Sequence, residues 1–205
     1  SRRPFWPKES SPLAGPSRNR MASFAVAALV SLVLWAPGAA EVVDLNVYGQ
    51  PLQRCGAIKV DAGSSEAGRC TFREDDAGAH QVCVTALPPG FSTRTGQGRW
   101  SEGFGNIPWC ICIWAFSHWT NHETTPLALQ CDSVSSKVVD SDFAIRHLQS
   151  CRSPPCDHVK AAERLCQDCM GQATTDEGRD YLAQRCQALG VQASVSASPR
   201  REGEL

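Results

Sequence analysis

Trp109-Cys110-Ile111-Cys112-Ile113-Trp114-Ala115-Phe116 is the stretch on which the reading of the fold turns. With a period of two it sets Trp109, Ile111, Ile113 and Ala115 on one face and Cys110, Cys112, Trp114 and Phe116 on the other. A strand apolar on both faces is covered on both, so this one is expected at the centre of a sheet. Upstream, His80 to Leu87 alternates Val82, Val84 and Ala86 against Cys83 and Leu87, and Pro88-Pro89-Gly90 stops it. Downstream, Leu127 to Val134 reads as a third strand and Lys137-Val138-Val139 as a short fourth. The glycine-rich segment Thr95 to Asn106 between the first two is a surface loop pinned by Trp100. No Lys-Ser/Thr follows its glycines, so it is not a phosphate loop.

Beyond Ser150 the composition turns helical. Asp157 to Met170 places Val159, Ala162, Leu165, Cys166 and Cys169 at helical spacing, with Gly171 as the stop. Thr174-Thr175-Asp176-Glu177 has the form of a capping box opening a second helix through Tyr181, Leu182, Cys186 and Leu189 to Gly190. Cys186 is expected to face the first helix. Two short helices are marginal alone, and cross-links would hold them together. The expected fold class is α+β: a small mixed sheet domain over residues 41–150, then a disulfide-stapled α-helical hairpin over 151–190. Residues 191–205, small, polar and charged, are expected to form a disordered tail.

Upstream of the sheet, Arg18 and Arg20 precede Met21, and an apolar run follows from Ala22 to Ala36. Pro37-Gly38-Ala39-Ala40 ends it with small residues at the positions signal peptidase needs, so residues 21–40 read as a cleaved signal peptide. Residues 1–20, rich in Pro, Ser and Arg, read as disordered leader or an incomplete gene model. Residues 1–40 carry five of the 20 Lys/Arg and one of the 21 Asp/Glu, so the rest of the chain has a formal charge near −5. An acidic chain without a basic patch is a poor nucleic-acid binder, so nucleic acid is not an expected partner. With no second apolar run, no membrane association is expected after signal cleavage. There is no Asn-x-Ser/Thr sequon. The terminal Glu204-Leu205 shares only its last two residues with lumenal retention signals. The expected location is the secretory pathway, extracellular or in the ER lumen.

All eleven cysteines, Cys55 through Cys186, lie downstream of that leader, where thiols become cross-links. Ten are disulfide candidates: Cys55, Cys70, Cys83, Cys110, Cys131, Cys151, Cys156, Cys166, Cys169 and Cys186. Cys110 and Cys112 on one strand would lie about 6.6–6.8 Å apart with parallel Cβ vectors, which disfavours a mutual bond. Cys83 on the adjacent strand is the expected partner of one of them. Cys83, Cys110 and Cys112, with His80 beside them, are the candidate redox thiols. Cys166-Gln-Asp-Cys169 has the C-x-x-C form of disulfide oxidoreductases, yet it ends a helix instead of starting one. Cys151, Cys156, His158, Cys166 and Cys169 are a possible zinc set whose spacing fits no common finger. His118 and His122 can share a helical face, and without a third ligand nearby in sequence they read as polar residues flanking Trp119.

Several motifs together resemble the domain of unknown function 2237 family from about Asp44 to Leu148. They are Asn46-Val47-x-Gly49-x-Pro51-Leu52 before Cys55, Gly68-x-Cys70, Gly78-x-His80-x-Val82-Cys83, Trp109-Cys110-x-Cys112 and Pro126-Leu127-x-Leu129. The resemblance implies a compact α+β domain and carries no catalytic residues, because the family has no established activity. It also sorts the cysteines: Cys55, Cys70, Cys83, Cys110 and Cys112 fall on its motifs, and the other six belong to the extension and its junction. Six can close three bridges, whereas five leave one thiol over. The expected function is a non-catalytic binding or structural module for a protein or small-molecule partner, with no cofactor. A thiol-disulfide redox role and zinc binding by the extension are the alternatives.

Overall fold

β1 (Val82–Val84) and β2 (Trp109–Ile111) form a two-stranded antiparallel ribbon in the register Val82↔Ile111, Cys83↔Cys110, Val84↔Trp109. The structure is a computed structural model that describes residues 44–56, 68–151 and 155–191. The expected leader and signal segment, and the residues from 192 on, lie outside the described residues. Every described residue falls in the unit Glu41–Leu205.

The deciding stretch is a strand for only its first three residues. Cys112 is extended (φ −62°, ψ 142°) and caps α2, which runs from Ile113 to His122. A continuous apolar run satisfies the helical period as readily as the strand period, and tertiary burial decides between them. Here Ile113, Phe116 and Trp119, three apart, bury one helix face almost completely. The expected third strand is reduced to the isolated bridge Val84↔Leu129, with Thr85 N donating to Ala128 O and Gln130 N to Cys83 O. The chain then tightens into a 3-10 turn at Cys131–Ser133. The expected fourth strand is also a 3-10 turn, Ser136–Val139, capped by the Ser135 hydroxyl accepting from Lys137 N. α1 (Phe91–Arg94) precedes the glycine-rich loop, and a 3-10 turn (Trp100–Gly103) lies within it. α3 (Ser141–Gln149), which no sequence pattern announces, buries Ala144 and Leu148.

The helical hairpin is α4 (His158–Gln172) and α5 (Asp176–Ala188). Asp157 caps α4 by accepting from the backbone N–H groups of Val159 and Lys160. Gly171 does not stop α4; a glycine inside a helix costs only about 1 kcal/mol, and α4 continues through it to Gln172. The cap of α5 is one residue later than expected. Thr175 accepts from Gly178 N at 3.1 Å, so Glu177 sits in the first turn and not at the reciprocal position of a capping box. Gly190 (φ 82°) closes α5 in a Schellman arrangement, with its N–H on Gln187 O and Val191 N on Cys186 O. Val191, expected to begin the disordered tail, is 6% exposed and packs into the core.

The hairpin is seated by the N-terminal turn. The Asn46 side chain accepts from Tyr48 N and Gln50 N, and Gly49 adopts φ 72°. The Tyr181 ring of α5 comes so close to Gly49 that an added Cβ would meet it at 3.0 Å. Tyr48 Oη donates to the carbonyl of Cys169 on α4 at 2.7 Å in a buried bond. The chain is thus α+β, with a small sheet and a disulfide-stapled helical hairpin.

Candidate functional site

Sulfur dominates the ribbon. Cys83 and Cys110 face each other across it, yet neither bonds the other or Cys112. Cys83 bonds Cys55 and Cys110 bonds Cys70. The ladder already holds Cys83 beside Cys110, and outward bonds instead tie in the segments around Cys55 and Cys70, whose described residues form no helix or strand of their own. The Sγ atoms of Cys55, Cys70 and Cys110 lie within 4.8 Å of one another, so the two bridges stack. All four cysteines are 0% exposed. Cys112, 4% exposed at the start of α2, takes part in none of the bridges. His80 turns to Asp76, with Nδ1 2.8 Å from Oδ1, and its ring lies over Gly78. Burial pushes the Asp76 carboxyl up. The His80 N–H, the His80 imidazole and the Gly78 N–H outweigh it, and the pKa lies below the usual aspartate range.

The other six cysteines close three bridges: Cys131–Cys169, Cys151–Cys156 and Cys166–Cys186. Cys166 and Cys169, one helical turn apart, therefore serve different partners. The first staples α4 to α5 and the second ties α4 to the 3-10 turn Cys131–Ser133, which follows α2. The C-x-x-C pair is not itself a bridge, which removes the geometry of an oxidoreductase motif. The zinc set suggested by spacing is not brought together either: His158 Nδ1 meets Gln149 Nε2 at 3.2 Å, and Cys166 and Cys169 are committed elsewhere. Cys151 and Cys156 instead gather beside His118 of α2.

The second feature is an aromatic shelf on the glycine-rich loop. Phe91, Trp100, Trp109 and Phe104 follow one another with ring centroids 6.3, 5.2 and 5.1 Å apart. Phe91 also meets the buried Trp119 at 5.4 Å, and the Arg94 guanidinium stands 5.0 Å from the Trp119 ring while pairing with Glu123. A reciprocal serine clamp fixes the loop. Ser92 N donates to Ser101 Oγ and Ser101 N to Ser92 Oγ, both at 3.0 Å, and the two hydroxyls lie 2.9 Å apart. Trp100 was legible as the loop's pin; the serines nine residues apart carry no sequence signal of pairing. Phe104 (40%) is exposed at the end of the shelf, and Ile107 (37%), three residues further along the chain, is exposed as well. This arrangement offers a partner a rigid apolar ledge on a loop that is already ordered.

Among the described residues no helix is long and apolar enough to cross a membrane. Compared with known proteins, the chain matches no family model, no curated protein and no solved structure.

Proposed function

We propose that the chain is a non-catalytic binding or structural module of an oxidising compartment in the secretory pathway, stabilised by disulfides and meeting its partner on the aromatic shelf. The observation that carries the reading is the closure of ten cysteines into five bridges, eight of those residues being at most 3% exposed. Sulfur so enclosed serves as structure; catalytic cysteines are partly exposed. The leader-like run before Glu41 and the likeness of residues 44–148 to the domain of unknown function 2237 family agree with it. The partner is a protein or small molecule with an apolar face to set against Phe104 and Ile107.

The test is peptide mapping of the unreduced protein, with alkylation followed during titration with a dithiol. The bridges of Cys55, Cys70, Cys83 and Cys110 are expected to resist reduction until the fold is lost. A redox role is the second reading, favoured by the stacked bridges, whose sulfur atoms are close enough to exchange. Fast, reversible reduction at Cys83 or Cys110 in the folded protein would establish it and overturn the first.

A further inference from the structure

The bridge Cys151–Cys156 differs from the other four. Its two cysteines are partly exposed, whereas the eight others are at most 3% exposed, so a soluble reductant reaches it first. It lies against one face of α2. Trp114, His118 and His122, four residues apart, share that face. Cys151 Sγ is 3.7 Å from the Trp114 carbonyl oxygen, and Cys156 Sγ is 3.8 Å from His122 Nε2. A ring nitrogen of His118 and the two sulfur atoms all lie within 4.8 Å of one another. The two imidazoles stand with centroids 4.7 Å apart.

His118 is 7% exposed, and its Nδ1 has no hydrogen-bond partner among the described residues. The backbone of Arg94 hydrogen-bonds the ring, which leaves Nε2 for that bond and Nδ1 as the open lone pair. Metal-binding histidines are held in this way, one nitrogen oriented by a carbonyl and the other presented to the ion. A tetrahedral zinc ion with sulfur at about 2.3 Å and nitrogen at about 2.0–2.1 Å separates its ligand atoms by roughly 3.3–3.8 Å. Cys156 Sγ and His122 Nε2, at 3.8 Å, stand at the top of that range, and the His118 nitrogen lies within 4.8 Å of both sulfur atoms, which are bonded to each other here and must part on reduction.

We propose that reduction of Cys151–Cys156 converts this face of α2 into a Cys2His2 zinc site, with His118 Nδ1, His122 Nε2 and the two thiolates as ligands. The reductant is a dithiol: its two S–H groups become a disulfide, the Cys151–Cys156 S–S bond breaks, and two thiols form. Zinc(II) then displaces the two thiol protons to solvent and keeps its oxidation state. The inference goes beyond the binding-module reading and does not depend on it.

The ligands stay assembled when the bridge opens, because both flanks of the loop are pinned independently. Ser117 of α2 donates to the Leu148 carbonyl at 2.7 Å, holding the end of α3 before Cys151. Asn121 Oδ1 accepts from Asp157 N at 3.0 Å, and Asn121 Nδ2 donates to the Asp157 carbonyl at 3.1 Å, directly after Cys156. Lys160 Nζ adds a bond to the Asn121 carbonyl at 3.2 Å.

The experiment titrates the oxidised protein with a dithiol, maps the opened bridge by differential alkylation, and adds cobalt(II) and then zinc(II). Cys151–Cys156 is expected to open first. The partly reduced protein should then take up one cobalt with thiolate charge-transfer and tetrahedral d–d bands, and zinc should displace it. The oxidised protein should take up none. His122→Ala, at an exposed position, should weaken zinc binding tenfold or more, and His118→Gln should do the same with altered cobalt bands. The proposal is overturned by any of four results. These are earlier opening of another bridge, loss of the native near-UV circular dichroism on opening this one, thiols at 151 and 156 without cobalt uptake, and uptake undiminished by either substitution.

Discussion

Replacing Cys131 and Cys169 together by alanine tests the view that the bridges hold the hairpin to the rest of the fold. Their bridge spans a sequence separation of 38, and in the chain-entropy account a loop of that size contributes about 4 kcal/mol by restricting the unfolded chain. Both sulfur atoms belong to residues 0% exposed, so the void left behind adds about 1 kcal/mol. The native position of α4 should survive. Gln172 accepts from Cys131 N through Oε1 and donates to the Leu129 carbonyl through Nε2, and Tyr48 still reaches Cys169 O. The Cys151–Cys156 bridge spans a separation of only 5 and is worth about 2 kcal/mol on the same account. Urea denaturation of the two double variants without reductant compares them directly. The first should lose about twice as much stability or more, with a Tm lower by roughly 10–15 °C for a chain of this size. A loss no larger than that of Cys151→Ala/Cys156→Ala would show that the Cys131–Cys169 bridge does not hold the hairpin to the fold.

Three further outcomes follow from single side chains. Tyr48→Phe should cost about 1–2 kcal/mol, because the buried Cys169 carbonyl loses its donor. Burial first, and then the Asp132 charge, push the Tyr48 phenol up to about 12, so a UV titration should show one of the two tyrosines ionising late. The unfolded phenol ionises near pH 10, so native stability should fall as pH rises from there towards 12, and Tyr48→Phe should flatten that fall. Asp76 has its pKa lowered in the fold, so its stabilisation is present above the ordinary aspartate value and lost as pH falls through the lowered one; Asp76→Asn should show a shallower acid loss by circular dichroism. Thr175→Ala should cost about 1 kcal/mol and speed amide exchange at Gly178, whose N–H it leaves unpaired.

The hairpin was the most legible part of the chain, because α4 and α5 carry a helical period, a cap at each start and Gly190 at the end. The errors there are of one or two residues: Thr175 in place of Thr174, Gln172 in place of Met170. The ribbon was half legible. Its register is carried by Val82, Val84 and Ile111, but nothing in Trp109–Phe116 marks the change of period at Cys112. Pro-free apolar residues fit both elements there, and the burial of Phe116 and Trp119 decides it. The candidate strands at Leu127–Val134 and Lys137–Val139 failed for a related reason. Alternation of apolar residues survives in a bridge followed by a 3-10 turn, where the partner strand that would pair it is missing among the described residues. Histidines and cysteines were legible by type but not by grouping. His118 and Cys151 are 33 positions apart, and only the packing of α3 and α4 on α2 brings them together.

The five bridges also differ in what they explain. Among the described residues before Asp140, regular structure amounts to two three-residue strands, one four-residue helix, α2 and short 3-10 turns. Strand pairs that short are marginal, and ordering each connecting residue costs about 1–2 kcal/mol. Bridges Cys55–Cys83 and Cys70–Cys110 offset that cost by confining the unfolded chain, and their burial keeps them closed. Cys131–Cys169 and Cys166–Cys186 fix α4 against the core and against α5. Cys151–Cys156 does none of this to comparable effect. It closes the shortest loop, its flanks are already held by Ser117 and Asn121, and its sulfur is partly exposed. Stability is therefore a poor reason for its position, whereas two imidazoles gathered on the same helix face, one with an open buried nitrogen, supply a chemical one.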